Sequence, residues 1–287
     1  MATDGEARNP IAEGLARFEL AELPGKGELP QLARVSLLRG AHQMGILGKV
    51  GQLATLKNYP NTLKMAALRS LKGRSAWREE LGKQDWMETY KACQFSRQLT
   101  ISQAAPFWWG AFKDKRNTIR EYLDVGSWEG QSAVFAAWLF PEARITAADW
   151  FASERATNLF FRNTASFSGR LETIKGTSWD VLSRLQEKDR TFDAILIDAD
   201  HRFDGVMLDT IKSWPLLRQG GYLIWDDYLW TNSKVPYLSP KQAIDAWIYS
   251  RRNVVEPIFA DYQVCVRKTA SDPELIDMAY FSDPRDR

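Results

Sequence analysis

Residues 119–132, IREYLDVGSWEGQS, restrict what this chain can become more than any other stretch. An apolar run of strand type, with Ile119, Tyr122, Leu123 and Val125, ends on Asp124-Val125-Gly126. A short turn with a second glycine at Gly130 leads into a helical apolar pattern from Ala133-Val134-Phe135 to Trp138-Leu139. Strand, glycine turn and helix in that order predict an α/β unit. Gly126 is free to take a positive φ, and the helix start behind Gly130 offers unpaired backbone N–H groups, so the turn is built to hold a ligand. Position 128, midway between the two glycines, is Trp128. A dinucleotide fingerprint needs glycine there so that backbone can reach a pyrophosphate, and a nicotinamide dinucleotide is therefore disfavoured. Taken alone, the pattern also suits an ordinary strand–turn–helix junction.

Downstream, strands and helices alternate. Ala143 to Ala148 reads as a second strand ending on Asp149, 25 residues beyond Asp124, where an acid can accept two hydrogen bonds from a ribose diol. A helix from Ser153 to about Ala165, a short strand Leu171–Ile174 and the turn Lys175-Gly176-Thr177-Ser178 follow. Ser178 with Asp180 makes a good helix start, leaving Ser178 open between a cap and a contact with a ligand. Phe192 to Ile197 is a buried strand ending at Asp198, continued by Ala199-Asp200-His201, and a helix is expected over 203–217, closed by Gly220-Gly221. Tyr222 to Trp225 is another buried strand, ending in Asp226-Asp227-Tyr228. After a helix from Pro240 to Arg251, strands Val254–Phe259 and Tyr262–Arg267 are separated only by Ala260-Asp261, which makes them an antiparallel hairpin. The fold expected is α/β: a Rossmann-like, seven-stranded, mostly parallel sheet finished by an antiparallel hairpin strand, with a helical N-terminal extension. Its bounds are 1–93 for a leader and basic extension, 94–268 for the sheet domain and 269–287 for a tail.

Two adjacent parallel strands thus deliver Asp198, Asp200, Asp226 and Asp227 to one sheet edge, beside His201, one of two histidines in the chain. Ionised carboxylates do not crowd together without a cation, and oxygen donors without cysteine suit a hard ion such as Mg²⁺. The bland alternative is that Asp198 or Asp200 caps the following helix while Asp226 and Asp227 solvate a loop.

The formal net charge of +2 hides an uneven layout. From Gln31 to Arg78 there are nine cations, Arg34, Arg39, Lys49, Lys57, Lys64, Arg69, Lys72, Arg74 and Arg78, and no acid. Such a block attracts an anionic partner, whether phosphate, nucleic acid or membrane surface, unless it is a solvated helical face or an arm over an acidic surface. Residues 1–30, with Pro10, Pro24 and Pro30, read as a loose leader with one short helix, and 62–71 has helical spacing. Two cysteines far apart form neither a disulfide framework nor a zinc pattern, and no apolar run approaches ~20 residues, so a cytoplasmic chain is expected.

The segments D-V-G-S-W-E-G-Q-S, A-A-D-W, I-K-G-T-S, F-D-A-I-L-I-D-A-D-H and G-G-Y-L-I-W-D-D-Y, in that order, resemble class I S-adenosylmethionine-dependent methyltransferases. The group they resemble includes macrocin-type sugar O-methyltransferases and their bacterial relatives, and the resemblance covers about residues 94–268. The aromatic stretch Gln94 to Phe112 resembles the W-F-S…I-P-x-W segment that borders the active-site mouth in those relatives. I-D-A-D-H is also similar to V-D-A-D-K of the metal-dependent caffeoyl-CoA and catechol O-methyltransferases. The resemblance implies S-adenosylmethionine, with Gly126, Ser127 and Ser132 along its methionine part, Asp149 at its ribose, and Ser178 with Trp179 at its adenine. It further implies Mg²⁺ on Asp198, Asp226 and Asp227, a hydroxyl acceptor on a small molecule or sugar, and a homo-oligomer. The general base stays open between His201, where the plant and catechol families carry lysine, and Asp200, where the macrocin-type group carries an acid. A nucleic-acid methyltransferase is a rival, weakened because no N-P-P-Y or D-P-P-Y follows the fourth strand; a non-catalytic cofactor-binding protein is another.

Overall fold

The computed structural model describes residues 74–96, 100–230 and 239–270. The leader, nearly all of the basic stretch and the tail beyond residue 270 lie outside the described residues. A seven-stranded sheet runs in the order β3-β2-β1-β4-β5-β7-β6, with β1 Glu121–Val125, β2 Arg144–Asp149, β3 Leu171–Lys175, β4 Phe192–Ile197, β5 Leu217–Trp225, β6 Val255–Ala260 and β7 Val264–Lys268. The pairs from β3 through β5 are parallel, whereas β7 is antiparallel to both β5 and β6. The expected architecture is therefore the one observed.

Alternation along the strands explains why they are apolar almost throughout. Tyr122, Ile145, Leu196 and Ile224 feed one core with Trp108, Phe112 and Phe135, while Leu123, Val125, Ile195 and Leu223 feed a second with Leu182, Trp214 and Trp247. A parallel sheet covered on both faces has no polar side. The first face is covered by α1 Arg74–Gly82, α2 Trp86–Lys91, α3 Thr100–Phe112 and α4 Gln131–Leu139. Leu81 and Trp86 are buried in the same cluster as Trp108, so the described end of the N-terminal extension packs directly on the sheet domain. The other helices are α5 Glu154–Thr164, α6 Ser178–Glu187, α7 Phe203–Leu216 and α8 Pro240–Ser250, of which the last three pack on the second face. Among the described residues no helix is long and apolar enough to cross a membrane.

Two local details differ from expectation. The side-chain cap of α6 is Thr177, whose Oγ1 accepts from the Asp180 N–H, so of the two roles left open for Ser178 the cap is taken by the residue before it. β5 starts at Leu217, directly where α7 ends, and Gly220 (φ +84°) sits in an irregular stretch of its pairing with β4. Gly220-Gly221 thus bends a strand rather than preceding one, since glycine tolerates the backbone of a bulge.

Strand order reverses between β1 and β4, and the crevice at such a point is where open α/β sheets take ligands. The strand ends there are tied by backbone bonds: Gly126 N–H to Ala148 O (2.8 Å), Asp198 N–H to Val125 O (2.8 Å) and Asp226 N–H to Ile197 O (3.1 Å).

Candidate active site

A cleft of about 900 Å³ opens over these strand ends. It is large enough for a cofactor together with a small second molecule. Its floor is the turn after β1. Gly126 has φ +95°, and a Cβ built on it would lie 2.1 Å from the backbone oxygen of Asp198. The close approach that glycine permits is thus to the neighbouring strand end, which locks the β1 turn onto β4. Gly126→Ala is expected to cost about 2–5 kcal/mol of stability, combining a disfavoured φ with overpacking against backbone; chemical denaturation of the variant checks this.

Asp149, at the end of β2, lines the cleft and fixes two turns at once. Its Oδ2 accepts from the Trp128 N–H (2.8 Å) and its Oδ1 from the Phe151 N–H (2.6 Å). Trp128 and Phe151 both have positive φ, +41° and +48°, an uncommon backbone for large residues that the carboxylate holds in place. The two turns present Trp128 and Trp150 at the cleft, 45% and 68% exposed. Each carboxylate oxygen keeps a second lone pair.

The turn is also anchored from behind. Glu129 is buried, and its carboxylate accepts from the Ser96 N–H (2.7 Å) and hydroxyl (2.6 Å), while Asn163 of α5 donates to the carbonyls of Gln94 and Glu129. Ser127 and Ser132 face the same buried interior: the Ser127 hydroxyl donates to the Asp124 carbonyl (3.2 Å) and the Ser132 hydroxyl to the Asp124 carboxylate (2.7 Å). Burial pushes the Asp124 carboxyl up to about 7. The two serines line a smaller cavity of about 30 Å³ that shares Gly126, Trp128, Asp198 and Asp226 with the main cleft.

Ser178, the first residue of α6, lines the main cleft. Trp179 does not line it: its ring is half exposed beside the Lys212 ammonium, 3.8 Å from the ring centre. One residue along a helix rotates a side chain by about 100°, which separates these neighbours. The aromatic residue that does stand on the β2–β3 side of the cleft is Trp150.

On the β4–β5 side the acids converge. Ligand-capable atoms of Asp198, His201 and Asp227 all lie within 4.8 Å of one another. His201 Nδ1 is 3.0 Å from Asp227 Oδ2. Asp227 has φ +56°, an unusual backbone for a residue other than glycine, at the head of the loop that follows β5. Burial, and then the charges of Asp226 and Asp227, push the Asp198 carboxyl well above the carboxylate range. Asp226 lies deeper, 6% exposed, and burial, followed by the charge of Asp227, raises it to about 6. The triad of donor atoms therefore contains His201, and Asp226 sits behind it. Asp200 is engaged elsewhere: its Oδ1 accepts from the Arg202 N–H (2.9 Å), and the Arg202 guanidinium grips both oxygens, at 3.1 Å from Nε and 2.6 Å from Nη2. That pairing holds its carboxyl below the usual range.

Gln103 of α3, Trp230 after β5 and Tyr262 in the β6–β7 turn complete the lining. Gln103 falls within the aromatic stretch 94–112 singled out in the sequence, whereas Trp230 and Tyr262 stand in no motif. The hairpin expected from the sequence carries the signal for Tyr262, because inserting β7 beside β5 returns the turn to the cleft.

Residues 123–228 match the family model described as a methyltransferase domain. No curated protein matches the chain in sequence. The structure is similar to that of the O-methyltransferase TomG from Streptomyces achromogenes, involved in tomaymycin synthesis and solved in complex with SAM, with a TM-score of 0.52 and 18% identity over 63% of this chain and 89% of that one. It is also similar to the O-methyltransferase from Bacillus cereus solved in complex with SAH, with a TM-score of 0.50 and 19% identity over 67% of this chain and 91% of that one. At such identities the likeness establishes the fold. The stretch matched by the methyltransferase-domain model, residues 123–228, holds the glycine turn, Asp149 and the β4 and β5 ends, and the fold around it is the one these two structures share.

Proposed function

We propose that this protein is an O-methyltransferase that takes the methyl group of S-adenosylmethionine to a hydroxyl of a small molecule or sugar, with a divalent ion, Mg²⁺, held at Asp198 and Asp227. The observation that carries the reading is the meeting of Asp198, His201 and Asp227 donor atoms within 4.8 Å, in one cleft with the Gly126 turn. The residues fit both groups. A buried carboxyl pushed up by two neighbouring acids is the arrangement a divalent cation relieves. When bound, the ion lowers the pKa of an acceptor hydroxyl, and the sulfonium cofactor brings a methyl group already activated for transfer.

The protein's part is alignment and proton removal. The Gly126 turn and Asp149 hold the β1–β2 side, with Ser178 and Trp150 lining the far end of the cleft. His201, whose Nδ1–H is oriented by Asp227, keeps Nε2 as the acceptor for the proton of the hydroxyl. Asp200 is the weaker candidate for that step, because Arg202 occupies both of its oxygens.

Calorimetry tests the cofactor half of the reading: S-adenosylmethionine binds and NAD does not. Asp149→Ala should weaken that binding by about 1.5–3 kcal/mol, since charge-assisted bonds are lost and two backbone N–H groups lose their acceptor. NAD binding, or no binding of either, contradicts it.

A further inference from the structure

We propose that Glu129 is a positioning residue for the cofactor: the two bonds its carboxylate accepts from Ser96 tie the glycine turn to the chain segment 94–96, and the turn keeps its ligand-binding shape only while that segment is docked. This rests on the methyltransferase reading above. The turn does not hold itself. Three of its five residues have positive φ, Gly126 (+95°), Trp128 (+41°) and Gly130 (+83°), and for a tryptophan that backbone is disfavoured unless the surroundings impose it. Within the turn the Gly130 N–H donates to the Ser127 carbonyl (2.7 Å), and on the cleft side Asp149 accepts from the Trp128 N–H (2.8 Å). The next residue, Glu129, carries the hold on the other side.

That hold is a linked set of bonds. Glu129, 3% exposed, accepts at Oε1 from the Ser96 hydroxyl (2.6 Å) and at Oε2 from the Ser96 N–H (2.7 Å). Asn163 of α5, 4% exposed, accepts at Oδ1 from the Gln94 N–H (2.8 Å) and donates from Nδ2 to the carbonyls of Gln94 (3.0 Å) and Glu129 (2.9 Å). Undocking of 94–96 would strip the buried carboxylate and the buried amide of these partners together, so the bonds form and break as a unit. Ser96 is itself exposed and does not line the main cleft, but its partner Glu129 directly follows Trp128, whose N–H Asp149 holds at the cleft. A shift of Glu129 therefore disturbs the Asp149 contact, on the β1–β2 side where the cofactor is held. By linkage, the fraction of molecules with the segment docked scales the apparent affinity for the cofactor.

The test measures S-adenosylhomocysteine binding to the full chain by calorimetry, well below the thermal transition, where a residue with a purely structural role lowers the denaturation midpoint and leaves Kd unchanged. Glu129→Leu, which removes both bonds at similar volume, should raise Kd on the order of tenfold or more. Glu129→Gln should stay within about threefold of wild type, because its amide oxygen accepts from the Ser96 N–H while its nitrogen donates to the Ser96 hydroxyl oxygen. Ser96→Ala, a change at an exposed position, should raise Kd roughly 3-fold alone and add little to Glu129→Leu, since the bond it removes is already gone. Wild-type affinity in both Glu129→Leu and Ser96→Ala, effects of the two that multiply independently, or a Glu129→Gln variant as weak as Glu129→Leu overturns the proposal. Failure of the wild-type chain to bind S-adenosylhomocysteine would instead overturn the functional reading beneath it.

Discussion

Turnover of His201→Ala is expected to fall roughly 10²- to 10⁴-fold, the range for losing a general base, with cofactor affinity near that of the unaltered protein. The expectation rests on the 3.0 Å contact between His201 Nδ1 and Asp227 Oδ2, which fixes the ring and leaves Nε2 to accept a proton. Asp200→Ala should act differently. It releases Arg202 and removes an acceptor at the start of α7, a change worth on the order of 1 kcal/mol of stability, and it should leave most of the turnover intact. Steady-state transfer of labelled methyl by the two variants decides between the residues. The reverse order, with Asp200→Ala crippled and His201→Ala active, assigns the proton step to Asp200.

Asp198→Asn should separate activity from stability. Removing this acid takes away a central donor of the cluster, and turnover should drop by roughly 10³-fold or more, the several kcal/mol that an ion supplies to an acceptor oxygen. Stability should move the other way. In metal-free protein the folded state binds the protons of Asp198 and Asp226 more tightly than the unfolded chain does, because burial raises both, Asp226 to about 6. The unfolded state then carries fewer protons, so stability falls as pH rises from about 4 through about 6 and beyond. Asp198→Asn removes part of that loss, so denaturation midpoints in chelator should match wild type near pH 4 and exceed it at neutral pH. A variant less stable than wild type at neutral pH, with turnover intact, contradicts this account of the cluster.

The strands, the hairpin and the strand-end acids were legible because they follow from short-range signals. Apolar runs bounded by glycine mark the strands, and a two-residue link forces antiparallel pairing. Asp198 and Asp227 could be brought together from sequence because each ends a strand and the two strands are neighbours. What escaped is set by rotation and depth. Trp179 and Ser178 are adjacent in sequence, yet the helix turns one to the cleft and the other to Lys212. Asp226 and Asp227 are likewise adjacent, and the left-handed backbone of Asp227 sends one carboxyl toward His201 while the other goes down to Gln263. Ser127 and Ser132 stand in the motif as expected cofactor contacts, and the bonds their hydroxyls donate to Asp124 were not readable from it. Glu129 gave no signal at all between two glycines, since its role depends on Ser96, 33 residues away. Trp150 could have been singled out, because it follows the strand-end acid Asp149 directly.

The central claim is that Asp198 and Asp227, beside the base His201, make methyl transfer depend on a divalent ion. Its most direct test is transfer of labelled methyl from S-adenosylmethionine by the full chain, first stripped of metal in excess chelator and then resupplied with Mg²⁺, on an acceptor that the unstripped protein methylates. The account predicts that transfer is lost in chelator and returns with Mg²⁺, while calorimetry shows cofactor affinity nearly unchanged throughout. Full turnover in chelator, with Asp198→Asn as active as wild type, would contradict it and return these acids to helix capping and loop solvation.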